Sequence, residues 1–547
     1  MFCKPYYEME GDNAGKEGIG SFLAKANNFI ESKHRIILIA ILLFAFIIRL
    51  KYMTVNAAVW WDEADYLSLA KHFGLGLPEQ AAPWRARAVP MLWGAFYFLG
   101  ANEWFIRFFS QFVAVGGVLL TYFIGKEFFS KKIGLLAALF MSVYFEHMFW
   151  SARVSLDVYS LLLFGLAAFF FYKGYVKGHG NKYIYATGAI YGAGIYAYDG
   201  IGFLAIFLLL FLLLTERLKF LKDKRLWIMV GVALLAALPF AVYHEVEFGH
   251  PYPRLKLFSS IEGGQITLAE GAQQSMPAKI VSLLPDTFSY FKGIGYYLSP
   301  QLPSGIFWGI AKWSLFLLFL LGLLAFVNMF ICFDKVWKNE NKELKSEFYL
   351  FLWGFSVLLI FGIVNAISAF YFEPRFVFPA MPVIFIVCAL GIRQMYRLVS
   401  KYSKEVAVGL AVVLVVTGVV GQLSFANALI NAKKDTYVQE KEGGEWLKQH
   451  TSPGDVLVGC GLTVQIIYYS ERDFKRVGSN NATLADETIK KYKPKYYVLD
   501  GMDFEGCKSE QYPAINQDKM VPVQAFFMDA AKTQPIYIIF EIKQEAY

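Results

Sequence analysis

Residues 35–66 read RIILIAILLFAFIIRLKYMTVNAAVWWDEADY. An apolar run of helical length gives way to two tryptophans and three carboxylates. A hydrocarbon core of roughly 30 Å takes about 20 helical residues, so the stretch 36–55 is long enough to cross a bilayer. Trp60 and Trp61 suit the interface, where an amphipathic ring sits at headgroup level. The acids Asp62, Glu63 and Asp65 then stand where the chain leaves lipid.

The rest of the chain is of the same kind. Its 547 residues are 56% hydrophobic, 18% aromatic and only 18% charged, where a soluble protein carries about a quarter charged residues. The apolar residues are clustered, so a large soluble protein with buried helices is excluded. About eleven spans are predicted: 36–55, 104–124, 133–150, 157–172, 183–199, 201–215, 226–243, 306–331, 348–370, 376–393 and 405–425. Residues 1–32 are polar and mixed in charge, so the first apolar run reads as a retained signal anchor.

Orientation follows from Lys and Arg in the short loops. One set of loops holds Lys126, Lys131 and Lys132, then Lys173, Lys177 and Lys182, then the basic run 217–225, and later Lys335–Lys345 and Arg393–Lys404. The short loops of the other set hold little beyond Arg153 and Arg375. The first set is read as cytoplasmic. This makes 1–35 a cytoplasmic segment and 36–426 a transmembrane domain with outer loops at 56–103 and 244–305. The net charge of +8 is thereby read as topology, and no nucleic-acid partner is expected.

The tail 427–547 is different. EKEGGEWLKQHTSPGDVLVG (440–459) reads as helix, turn, strand, and ADETIKKYKPKYYVLD (485–500) repeats that order. PIYIIFEI (535–542) is a last β-rich run. A soluble α/β domain on the outer side is expected. Cys460 and Cys507 share it, so a disulfide there and two free thiols are both open. Asn481-Ala482-Thr483 is a glycosylation sequon.

Asp62–Phe73 is predicted to form a short helix along the membrane, with Asp62 at its N-cap and Asp65 in its first turn as the plainest role for those acids. SARVSLD (151–157) puts Arg153 and Asp157 at the outer end of a span. Acids in membrane segments usually face a protein interior and mark a site, although Arg153 four residues earlier offers a structural ion pair. Arg85, Arg87, Arg107, Arg254 and Arg375 gather on the same face. Arginine presents a fixed fork of donors suited to phosphate, and each also serves as an interfacial anchor. HEVEFGH (244–250) places His244, Glu247 and His250 close in sequence. It lacks HExxH spacing, so a divalent metal stays an open cofactor rather than an expected one.

Together these pieces resemble the polyprenyl-phosphate-sugar-dependent GT-C glycosyltransferases, in the branch of protein O-mannosyltransferases and the lipid A aminoarabinose transferase. Asp62-Glu63 resembles the family's Asp-Glu motif. AVPMLWGAFYFLGANEWFIRFFS (88–110) is similar to its Pro-containing segment, with Val89-Pro90 in place of the usual double proline. SARVSLD resembles the segment carrying its second acid, at Asp157. EPRFVFPAMPVIF (373–385) is similar to its Pro-Arg-aromatic motif, and EWLKQHTSPGDVLV (445–458) to the start of its outer domain. WWDEADY only partly matches the WWDYG motif of oligosaccharyltransferases.

The resemblance implies a multi-pass α-helical GT-C membrane protein of the plasma membrane, with its site and its soluble α/β domain extracytoplasmic. It implies a polyprenyl-phosphate-linked sugar as donor and a protein, lipid or glycan hydroxyl as acceptor. Asp62 is expected as general base, Glu63 as a sugar ligand or as the group orienting Asp62, and Asp157 as an acceptor-positioning group or the partner of Arg153. Arg107, Arg375, Arg153 and Arg85 are expected around the donor phosphate. A transporter or flippase for a lipid-linked or anionic substrate is the alternative. Such proteins often show inverted repeats and charges near the midplane, whereas these acids and arginines gather at outer ends.

Overall fold

A computed structural model describes residues 19–79, 81, 85–252, 284–368, 373–460, 464–477, 482–501, 511–528, 531–533 and 535–546. Arg254, Asn481 and Cys507, singled out above, lie outside them. The chain divides into two compact units, Met1–Met53 with Phe108–Ile430, and Thr54–Arg107 with Asn431–Tyr547.

The first unit is a bundle of apolar helices. Nine helices of the described chain are long and apolar enough to cross a membrane: Asn27–Met53, Glu103–Phe128, Leu156–Val176, Asp199–Lys222, Lys224–Phe248, Ile306–Ile331, Lys342–Ala366, Pro374–Val399 and Lys404–Ala432. They account for nine of the eleven expected spans. The expected span 133–150 is instead a bent pair, Lys131–Val143 and Phe145–Ser151, turning by 56°. The break falls at Tyr144, whose φ of −58° and ψ of 117° leave the helical region. Arg49 repairs it by donating to the freed Ser142 carbonyl at 2.8 Å and meeting His147 of the next helix at 2.9 Å. The expected span 183–199 is a shorter helix, Asn181–Gly194, packed on Lys224–Phe248 and Leu156–Phe171.

Lipid tails are as apolar as leucine, so helices in a membrane are held by close packing and polar links rather than by burial alone. Gly188 and Gly192 show this. A Cβ on Gly192 would stand 2.0 Å from the Ala233 carbonyl oxygen, and one on Gly188 2.3 Å from that of Met229. Hydrogen bonds add to it: Tyr52 Oη to Asn427 at 2.8 Å, and Gln422 to both the Phe145 N–H and the Tyr297 carbonyl at 3.1 Å.

The second unit joins two helices of the first loop, Trp61–Leu75 and Ala88–Phe98, to a five-stranded sheet. The strands are β1 (Val456–Cys460), β2 (Asp473–Arg476), β3 (Tyr496–Asp500), β4 (Met520–Phe527) and β5 (Pro535–Ile542), in the order β2-β1-β3-β5-β4. β1 runs parallel to β2 and β3, while β5 is antiparallel to β3 and β4. Successive strand residues point to opposite faces. Leu457, Val498 and Ile539 accordingly meet Leu447 and Ile466 on one face, while Val458 and Tyr497 meet Ala485 and Ile489 on the other. Helices on both faces of a largely buried sheet give the α/β layering expected of the tail. Cys460 is disulfide-bonded, as is Cys332, and Cys388 is a buried free thiol.

Candidate active site

In the second unit the helix carrying WWDEADY begins at Trp61, with Trp60 as its N-cap. Asp62 therefore lies in the first turn instead of at the cap. The capping carboxylate is Glu63, which accepts the Trp60 N–H at 2.9 Å, the third-residue half of a capping box. The other Glu63 oxygen meets Arg107 Nη2 at 2.7 Å. Arg107 Nε also meets Glu103 at 2.7 Å, and Glu103 accepts the Tyr468 hydroxyl at 2.8 Å. Arg107 and Glu63 are almost wholly buried. Arg107, expected to bind phosphate, is thus enclosed between two carboxylates, and Glu63 is occupied in holding it.

Asp62 and Asp65 share Arg85, which reaches Asp62 Oδ1 at 3.0 Å through Nη1 and Asp65 Oδ2 at 2.7 Å through Nε. The guanidinium lies over the Tyr66 ring, 5.2 Å from its centre. Burial raises the Asp65 pKa, and the charge of Arg85 offsets this only in part. Burial also acts against the charge of Arg85, but Tyr66, Asp65 and Asp62 outweigh it and hold its pKa above the ordinary value. Of the three acids on the helix, the Asp62 side chain is 28% exposed, against 9% for Asp65 and 2% for Glu63. Asp62 is the most exposed of the three.

In the first unit Asp157 opens the helix Leu156–Phe171. Its carboxylate accepts the Ser155 hydroxyl and the Tyr198 hydroxyl, each at 2.7 Å. Arg375 Nη1 stands 3.6 Å from the same carboxylate, and Arg375 Nε 3.6 Å from Glu373. Both separations are ion-pair distances beyond hydrogen-bond range. The guanidinium lies over the Trp150 ring, 4.2 Å from its centre, an arrangement arginine favours. Trp150 donates to Glu146 at 3.1 Å, and Glu146 also accepts the Tyr296 hydroxyl at 2.8 Å.

Arg153 departs from the expected pairing. The chain leaves the helix over residues 152–155, so the four-residue spacing to Asp157 does not bring the two side chains onto one helix face. Arg153 donates to the Phe149 carbonyl at 2.8 Å and packs over the Phe149 ring at 3.7 Å. Of the residues in HEVEFGH, His244 and His250 meet with ring centres 6.4 Å apart, and Glu247 does not join them. Helix continues through Phe248, which leaves Glu247 exposed while His244 is buried against Tyr196, Tyr243 and Phe248. Among the described residues no group of three or more His, Cys, Asp or Glu side chains could hold a metal ion.

Sequence reading missed Asp65 and Tyr66 as partners of Arg85, although both stand in the stretch quoted first. Glu103 was legible as the residue four before Arg107. Tyr198 and Tyr468 carry no local signal, because each meets its acid across a long sequence separation.

A family model described as dolichyl-phosphate-mannose-protein mannosyltransferase matches residues 88–243. No curated protein sequence matches the chain. The structure of ArnT from Cupriavidus metallidurans bound to undecaprenyl phosphate is similar over 92% of this chain and 97% of its own, with a TM-score of 0.62 and 14% identity. The oligosaccharyltransferase AglB from Archaeoglobus fulgidus, in complex with an inhibitory peptide and a dolichol-phosphate, is similar over 94% of this chain and 74% of its own. Its TM-score is 0.56 at 13% identity. The apo form of the Archaeoglobus fulgidus oligosaccharyltransferase gives a TM-score of 0.55 at 13% identity, over 85% of this chain and 69% of its own.

Proposed function

We propose that this chain, which has the fold of the GT-C membrane glycosyltransferases, moves a sugar from a polyprenyl phosphate to an acceptor hydroxyl on the extracytoplasmic side. The observation that carries this reading is the mannosyltransferase family match over 88–243. Similarity in fold to proteins solved with undecaprenyl phosphate and dolichol-phosphate supports a polyprenyl-phosphate donor.

The acceptor oxygen attacks the anomeric carbon and its proton passes to the Asp62 carboxylate. As the new C–O bond forms, the bond from the anomeric carbon to the phosphate oxygen breaks, and polyprenyl phosphate leaves with the bonding electrons. One displacement inverts the anomeric configuration. Asp62 takes the base role because it is the accessible carboxylate of its helix, and Arg85 fixes its orientation. In the first unit, the fork of Arg375 suits a phosphate. Its long ion pairs with Asp157 and Glu373 are ones a phosphate can supplant. Asp157, anchored by Ser155 and Tyr198, aims that arginine. Glu63 and Arg107 hold the helix that presents Asp62.

The test is transfer of labelled sugar from a polyprenyl phosphate by the purified protein and by Asp62→Asn. General-base removal costs about 10²–10⁴-fold in rate, so the variant should be inactive while it still binds donor. Full activity in Asp62→Asn sinks the assignment.

A further inference from the structure

The helix bearing Asp62 is gripped by the soluble domain. Tyr468 lies on the helix Val464–Ser470, far beyond Asp62 in the chain, and its side chain is buried. Its hydroxyl donates to Glu103 at 2.8 Å, and Glu103 takes Arg107 Nε at 2.7 Å. Arg107 Nη2 meets Glu63 at 2.7 Å, and Glu63 accepts the backbone N–H of Trp60 at 2.9 Å. The series ends on the cap of the helix whose second residue is Asp62.

We propose that Tyr468 is a positioning residue for Asp62, acting through Glu103, Arg107 and Glu63. This rests on the reading of Asp62 as the base. Docking of a soluble domain alone would be served by apolar contact. Here the link is polar at every step, and at its centre Arg107 and Glu63 are almost wholly buried while Glu103 is partly exposed. Removing the Tyr468 hydroxyl leaves the Glu103 carboxylate short of a partner beside a buried Arg107. Arg107 can answer only by moving toward Glu103, which loosens Glu63 and with it the Trp60 N–H. Displacements of about 1 Å at a reacting group cost up to about 10²-fold. Separate contacts serve docking: Lys441 Nζ donates to the Ala57 carbonyl at 3.0 Å, and the Val59 N–H donates to the Tyr469 hydroxyl at 2.8 Å.

The experiment compares Tyr468→Phe, Glu103→Gln, their double variant and Lys441→Met in the full-length protein, with Asp62→Asn alongside. Tyr468→Phe should lower kcat about tenfold at unchanged donor KM, by the misplacement argument above. The double variant should be no slower than Glu103→Gln alone, since coupled residues do not add. Lys441→Met, which removes only the contacts to the Ala57 carbonyl and the Tyr469 ring, should keep kcat within about twofold. Unchanged kcat in Tyr468→Phe, an equal loss in Lys441→Met, or additive losses in the double variant would overturn the proposal. If Asp62→Asn is inactive while Tyr468→Phe is normal, only this inference fails. If Asp62→Asn is active, the reading beneath it fails.

Discussion

At the residue scale, the chemistry turns on how three neighbouring acids are divided. Glu63 is spent on a cap and an arginine, Asp65 is buried against Arg85, and Asp62 is left within reach of solvent. Asp65 gives a pH signature. Its pKa in the folded chain is raised above the ordinary 3.8 by burial. The unfolded chain therefore releases this proton at lower pH than the folded one. With respect to Asp65, stability is greatest below pH 3.8 and declines as pH rises through the raised pKa. Thermal unfolding of Asp65→Asn, followed against pH, should lack this decline; an identical slope in wild type and variant would refute it. Arg375→Lys tests the other cluster. Lysine keeps the charge but loses the planar fork that stacks on Trp150 and spans two oxygens, so transfer should fall about 10–100-fold. The motif residues Asp62, Asp157 and Arg375 were all legible in sequence. Their partners were not, because a hydrogen bond such as Tyr198 to Asp157 depends on how helices pack rather than on spacing along one of them.

At the element scale, apolar length is what sequence reports well, and nine spans among the described residues follow from it. It does not report a break. The bend at Tyr144 lies in a mainly apolar run, just before Glu146 and His147, and depends on Arg49 to satisfy the Ser142 carbonyl. Nor does it separate a full span from the shorter helix Asn181–Gly194, whose glycines serve contact with Lys224–Phe248. Gly192→Ala should therefore cost about 1–3 kcal/mol, the usual range for overpacking, and lower the unfolding temperature of the detergent-purified protein. Gly231, on the helix it meets, has open space where a Cβ would stand, so Gly231→Ala should be neutral or stabilising. Equal effects at both positions would contradict the packing argument. In the tail, the strands after Pro453 and Pro494 were legible from their β-branched and aromatic runs. β2 was not, because DFKR is short and polar, and β4 carries Pro522 within it.

At the scale of the whole molecule, the sequence conveyed the class, a multi-span membrane protein with a soluble α/β tail, because composition and hydropathy are properties of the entire chain. The grouping of Thr54–Arg107 with the tail was hidden, since it rests on contacts such as Ala57 N–H to the Lys434 carbonyl at 2.9 Å. The proposed sidedness is testable in intact cells. A cysteine replacing Lys519 in the tail should react with an impermeant thiol reagent, and one replacing Lys222 should not; the reverse pattern would place the site in the cytoplasm. The most direct test of glycosyl transfer uses proteoliposomes, a polyprenyl phosphate carrying a radiolabelled sugar, and an acceptor pool from host membranes. Label should leave the lipid as free polyprenyl phosphate accumulates in equal amount, and Asp62→Asn should block both. Label that crosses the bilayer still joined to its lipid would contradict the account and identify a transporter.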